Sequence, residues 1–221
     1  MVNEKEVERL VTETSNLIDA MLEVVLPDFM RVTNLLKSLN GTLTDEAELK
    51  AYGYVMQELQ YYDTLTQKME HIKTIHTLVL ESLWSGQSAS GAKVSGLSLI
   101  RLNHIQFQVA CFEYLSSVNE IESNLRVLLN ESKGSVHYSF EYSNLLLSAS
   151  RFINTNFTVL EKALQEAKDA DLQNNVERVS AIYSMESERS VLQAYINKPL
   201  LHDGEIEPLH KSNRQPEIDL F

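Results

Sequence analysis

Apolar residues recur at three- and four-residue steps along most of the chain, which predicts long amphipathic helices. The clearest stripe lies between residues 62 and 83 and consists of Tyr62, Leu65, Met69, Ile72, His76, Val79 and Leu83. Alternating steps of three and four are typical of helices that pack against each other as in a coiled coil. The predicted helices cover residues 4–26, 28–39, 44–84, 99–130, 140–169 and 171–196.

Local signals place the boundaries between these helices. Pro27 predicts a break or a kink after the first helix. Thr44, followed by acidic residues in the first turn, predicts the N-cap of the third helix. Residues 85–98 are rich in glycine and serine, which predicts a mobile loop.

These elements predict an all-α fold, an antiparallel four-helix bundle of long helices with extra N-terminal helices. Residues 44–84 and 99–130 are expected to form one hairpin, and residues 140–169 and 171–196 the other.

The predicted domain organisation has three parts. Residues 1–197 form the helical bundle domain. Residues 198–215 contain prolines and no apolar period, which is typical of a flexible linker. Residues 216–221 form an acidic and apolar C-terminal tail peptide.

The charge of the chain narrows the classes of partner. The formal net charge is −12, which disfavours nucleic acids and anionic membrane surfaces and favours a basic protein surface. The N-terminal residues lack the apolar core of a signal peptide, and no apolar run approaches the roughly 20 residues that span a bilayer. We therefore expect a cytoplasmic protein without a membrane segment. With Cys111 as its single cysteine, the chain forms no intramolecular disulfide.

The histidines and acidic residues raise two possible kinds of site, a metal centre and a phosphorylated histidine. The Glu-x-x-His pattern of di-iron bundles does not occur in the long predicted helices, so no metal site is predicted. His76 falls on the apolar stripe and is expected to be a hydrogen-bonded core histidine. His71, followed by Ile72 and Lys73, partly resembles the phosphorylated segment of histidine phosphotransfer domains, and this alternative stays open.

Asp63 and Gln67 are the residues that we select as a candidate site. If Tyr62 occupies position a of the heptad, Asp63 falls at b and Gln67 at f, so both side chains point away from the core on one face. Glu70 and Thr74 continue that face. A solvated helix face without further function is the alternative.

Residues 59–72, Leu-Gln-Tyr-Tyr-Asp-Thr-Leu-Thr-Gln-Lys-Met-Glu-His-Ile, resemble the active-site helix of the CheZ family, the phosphatases of the chemotaxis response regulator CheY. The resemblance implies that Gln67 orients the water that attacks the aspartyl phosphate and that Asp63 contacts the active-site lysine of the regulator. Glu70, which continues the same exposed face, is assigned to partner binding. This chain would bind no cofactor itself, since Mg²⁺ is expected on the partner receiver domain.

The tail resembles the same family, whose members end in a flexible linker and an acidic, apolar peptide that docks on the regulator. The corresponding partner-binding residues are Glu217, Ile218, Asp219, Leu220 and Phe221. A frayed terminus, or a peptide similar to those that bind the bacterial sliding clamp, is an alternative for this segment.

The resemblance implies a hydrolase, a protein aspartyl-phosphate phosphatase of chemotaxis or two-component signalling with a CheY-like response regulator as partner. The alternative is a non-catalytic helical scaffold or sensor that recruits a partner through its tail. A homodimer is compatible with both.

Overall fold

The structure, a computed structural model, describes residues 4–84, 92–129 and 170–197. The described residues form six α-helices and no strand: α1 (Glu4–Leu39), α2 (Glu46–Leu59), α3 (Tyr61–Trp84), α4 (Ala92–Leu129), α5 (Ala170–Ile182) and α6 (Glu186–Asn197). The predicted all-α class is confirmed. The predicted helix 140–169, the linker 198–215 and the tail 216–221 lie outside the described residues. None of the described helices combines the length and the apolar character that a bilayer crossing requires.

Helix α1 is continuous through Pro27, so the prediction of two separate N-terminal helices is wrong. Proline removes one backbone donor but leaves the helical φ angle unchanged. One face of α1 is buried both before and after the proline, and its side chains are Ile18, Met21, Val25, Phe29, Val32 and Leu36. Burial of this face stabilises the helix across the lost hydrogen bond.

The predicted helix 44–84 is divided into α2 and α3 at Gln60. Two backbone bonds of the tighter i→i+3 kind mark the division: Gln60 N–H donates to the Gln57 carbonyl and Asp63 N–H donates to the Gln60 carbonyl, each at 3.2 Å. The N-cap of α2 is Asp45 and not Thr44. Its carboxylate accepts from the backbone N–H groups of Ala47 and Glu48.

The predicted helix 171–196 is also divided: α5 ends at Ile182 and α6 begins at Glu186. Three side-chain hydrogen bonds lie at this division. Tyr183 is fully buried, and its hydroxyl donates to Asn103 Oδ1 at 3.3 Å. Glu188 Oε2 accepts from the Met185 N–H at 3.2 Å, which is half of a capping box at the start of α6. Arg189 Nε donates to the Tyr183 carbonyl at 3.1 Å.

Helix α4 is the central element and packs against α2, α3, α5 and α6. It begins at Ala92, inside the stretch 85–98 that the composition predicts as a loop, and residues 85–91 lie outside the described residues. The predicted C-terminal stripe from Val118 to Leu128 is buried as expected. Phe112 is exposed instead of buried, because the phase shift of the stripe falls before this residue and not after it.

The core consists of two apolar clusters along α4. One joins α1, α2, α3 and the C-terminal part of α4, and the other joins the ends of α1, α3 and α4 to α5 and α6. Ser117 Oγ donates to the Glu58 carbonyl, and Asn103 Nδ2 donates to the Ile72 carbonyl. The contact partners on α4 thus come earlier in the chain as the contacts move from α2 to the later part of α3, so the chain runs in opposite directions along the two sides of this contact.

Candidate functional site

Asp63 and Gln67 are both exposed on the N-terminal part of α3. Neither side chain has a hydrogen-bond or ion-pair partner among the residues that the structure describes. Residues four apart on a helix are neighbours, with about 6 Å between their Cβ atoms. Glu70 and Thr74 are also exposed, so these four residues share one outward face of α3.

The opposite side of α3 is held firmly in the core. Leu65 and Met69 are fully buried. The ring of Tyr62 lies 5.2 Å from the ring of Phe29 on α1, between centroids, at an interplanar angle of 43°. Thr66 Oγ1 donates to the Tyr62 carbonyl at 3.0 Å, one turn back. The two exposed side chains therefore project from a fixed segment of backbone.

A buried polar cluster lies directly behind this face. Lys68 Nζ donates to Glu113 Oε2 on α4, and both side chains are buried. Tyr61 Oη donates to the same carboxylate oxygen at 2.8 Å. The sequence did not indicate this pair, because Lys68 stands at a g position that is normally solvated and Glu113 lies 45 residues away.

The face itself is acidic. Asp63 and Glu70 are exposed carboxylates, and the nearby cation Lys73 is bound to Asp19 of α1 at 2.7 Å and lies 4.0 Å from Glu70. The hydrogen bond to Asp19 raises the pKa of Lys73. A cationic group of a partner would therefore find a favourable potential beside Asp63.

His71 lies one turn beyond Gln67, but its side chain is on the side of α3 that packs against the core. Its Nδ1 lies 2.7 Å from Glu188 Oε1 and 3.0 Å from Oε2, and Glu188 is almost fully buried. Gln106 Nε2 donates to the Glu188 carbonyl at 2.9 Å. Only 19% of the His71 side chain is exposed, which counts against the phosphotransfer alternative, since that chemistry requires an open histidine.

His76 is a buried core histidine, as the stripe predicts. Its Nδ1 lies 2.9 Å from Ser15 Oγ of α1, and burial lowers the pKa of His76 to about 4. It lines a cavity of about 10 Å³, space for about one water molecule, together with Thr14, Asn103, His104 and apolar side chains.

The described residues contain no group of three or more His, Cys, Asp or Glu side chains that could hold a metal ion. Cys111 is buried, and burial raises the pKa of its thiol, so the thiolate that reacts with electrophiles is disfavoured. The tail residues Glu217–Phe221 lie outside the described residues. Of the predicted site residues, the structure describes Asp63, Gln67 and Glu70, and these lie together on one exposed face of α3.

Comparisons of this chain with protein-family models, with curated proteins and with solved structures gave no match.

Proposed function

We propose that this chain binds a phosphorylated response-regulator receiver domain and promotes hydrolysis of its aspartyl phosphate, as a CheZ-like phosphatase. The observation that carries the proposal is the placement of Asp63 and Gln67. The two side chains lie one turn apart on an exposed face of a well-packed helix, and neither has a partner in the described part of the chain.

The proposed chemistry requires little from this protein. A water molecule attacks phosphorus, the bond between phosphorus and the aspartyl oxygen breaks, and the products are inorganic phosphate and the aspartate carboxylate. The leaving group is already good, and the receiver domain supplies Mg²⁺, so positioning of the water is the main contribution. The Gln67 carboxamide can accept a hydrogen bond from the water and donate one to a phosphoryl oxygen.

Asp63 has the role of a contact to a lysine of the receiver domain. An exposed carboxylate that is not already paired can form such a bond without first losing another partner. Glu70, on the same face, adds to the negative potential that attracts the lysine.

The remaining parts of the proposal concern the rest of the chain. Residues 216–221 bind the receiver domain, and residues 198–215 tether them to the helical domain. The tether raises the local concentration of the receiver domain at Gln67. The helical domain is an antiparallel four-helix bundle, and the protein acts in the cytoplasm in chemotaxis or two-component signalling.

The test is the decay rate of each phosphorylated receiver domain of the source organism, with and without the full chain. We expect faster decay for one regulator, and we expect Gln67→Ala to reduce this acceleration roughly 100-fold, the size of effect seen when one positioned polar group is removed. Gln193→Ala, which removes an exposed glutamine on α6, is the matched control and should leave the rate unchanged.

Two outcomes separate this proposal from a scaffold. If Gln67→Ala keeps the full acceleration, the assigned role of Gln67 is wrong. If no regulator decays faster but one binds, and deletion of 216–221 abolishes that binding while the circular dichroism stays helical, the chain is a non-catalytic adaptor.

A further inference from the structure

The outward faces of α2 and α3 form one line of exposed residues, which we call the α2–α3 ridge. Its members follow each other at alternating steps of four and three: Leu49, Gly53, Met56, Gln60, Asp63, Gln67, Glu70 and Thr74. Gln60, between α2 and α3, has right-handed helical dihedral angles (φ −66°, ψ −19°), and the exposed positions keep the same spacing before and after it. The candidate site therefore belongs to a longer surface.

The α2 part of the ridge is apolar. Leu49 is 53% exposed and Met56 is 43% exposed, although α2 buries Ala51 and Val55 on its other side. Both exposed side chains lie on the same face of the helix, seven residues apart. These two side chains offer apolar area that a partner can cover.

Gly53 lies between these two side chains, and no contact among the described residues requires a glycine there. A Cβ atom placed at Gly53 would meet no atom of the described residues within 4 Å, and the φ angle is not in the left-handed region. Glycine inside a helix is less stable than alanine. A residue without Cβ, set between exposed Leu49 and Met56, allows another backbone to come close to α2.

We propose that Leu49, Gly53 and Met56 form a docking surface for the same receiver domain whose aspartyl phosphate faces Gln67. This inference rests on the proposed function. The 11 residues from Met56 to Gln67 span about 17 Å at 1.5 Å per residue. A domain of about 100 residues has a radius of gyration of about 13 Å and so a width of roughly 30 Å. One domain seated at Gln67 therefore reaches the apolar part of the ridge.

Charge selects this occupant over two others. Acidic side chains lie on the line of the ridge at both ends of the apolar part, Glu46 before Leu49 and Asp63 after Met56, whereas Lys50 lies off this line with its ammonium 5.8 Å from the centre of the Tyr54 ring. The matching surface is an apolar patch with Lys or Arg at both ends. A second copy of this chain, with a net charge of −12, would oppose acidic ends to acidic ends, and the acidic tail at 216–221 would be repelled in the same way.

The test is titration calorimetry of the full chain with the receiver domains of the source organism. Beryllium fluoride holds these domains in a state like the phosphorylated one. We expect the double variant Leu49→Ser with Met56→Ser to weaken the Kd at least tenfold, which corresponds to two buried apolar side chains. The control is Leu26→Ser with Met30→Ser on α1, since these side chains are of the same types and are 40% and 55% exposed. The control should change the Kd less than twofold.

A second variant tests the glycine without loss of stability. Gly53→Ala should raise the Tm by roughly 2–4 °C, because alanine favours the helix, and should still weaken the Kd several-fold. A variant that is more stable but binds more weakly cannot owe its defect to unfolding.

The outcomes separate this inference from the proposed function. If a receiver domain binds and Gln67→Ala removes the accelerated decay, but the ridge variants bind as tightly as the original chain, the docking surface is refuted and the phosphatase stands. If the ridge variants weaken binding while Gln67→Ala retains full acceleration, the docking surface stands and the assigned catalysis fails. If no receiver domain binds, both fail. A dimer in sedimentation that the Leu49 and Met56 variant dissociates, with unchanged receiver binding, would assign the ridge to self-association and overturn the inference.

Discussion

His76 makes the stability of this protein dependent on pH in a defined window. The imidazole is 4% exposed, and its contact with Ser15 does not replace the hydration that a charged ring requires. Burial lowers its pKa from 6.5 to about 4. In the unfolded chain the same side chain is solvated and titrates at its ordinary value.

Proton linkage determines the sign and the size of this pH dependence of the free energy of unfolding. Well above pH 6.5 the ring is neutral in both states and contributes no pH dependence. Between pH 6.5 and 4 the unfolded chain binds a proton that the folded chain does not, so the free energy of unfolding falls as the pH falls. The fall of the pKa from 6.5 to about 4 corresponds to about 3 kcal/mol in total, and the loss levels off below pH 4.

The assay is urea unfolding followed by circular dichroism at several pH values from 7.5 to about 4, for the original chain and for His76→Leu. Carboxylates titrate in part of the same range, so the quantity of interest is the difference between the two proteins. We expect this difference to change by about 3 kcal/mol in favour of the leucine variant as the pH falls. Parallel pH profiles, or a His76 NMR titration midpoint near 6.5, would refute the reasoning.

Two buried polar pairs give further predictions. Lys68→Met removes the ammonium group that binds the buried Glu113 carboxylate and should lower the free energy of unfolding by about 3 kcal/mol, whereas Lys73→Met, which breaks a more exposed pair, should cost less than about 1 kcal/mol in the same denaturation assay. Glu188→Ala removes the partner of His71 and the cap of α6, so we expect a loss of about 2 kcal/mol and faster amide hydrogen exchange within α6. Unchanged exchange in α6 would show that this carboxylate does not hold the helix.

The helices and the outward direction of the candidate site could be predicted from the sequence. Leu65, Met69 and Ile72 recur at helical spacing, and the same period that buries them turns Asp63 and Gln67 to solvent. These features depend on residues three or four positions apart, so local pattern contains the information. The burial of His76 followed from the same stripe.

The ends of several helices and the polar pairs behind the site depended on the tertiary structure. Lys68 and Glu113 are 45 residues apart, and His71 and Glu188 are 117 residues apart, so no local pattern links them. The break before α6 arises because Glu188 caps that helix and Tyr183 is buried against α4, and the continuity through Pro27 arises because one buried stripe spans it. A local period states which face of a helix is apolar, but only packing decides which distant side chain meets a buried charge, because desolvation must be offset by a particular partner.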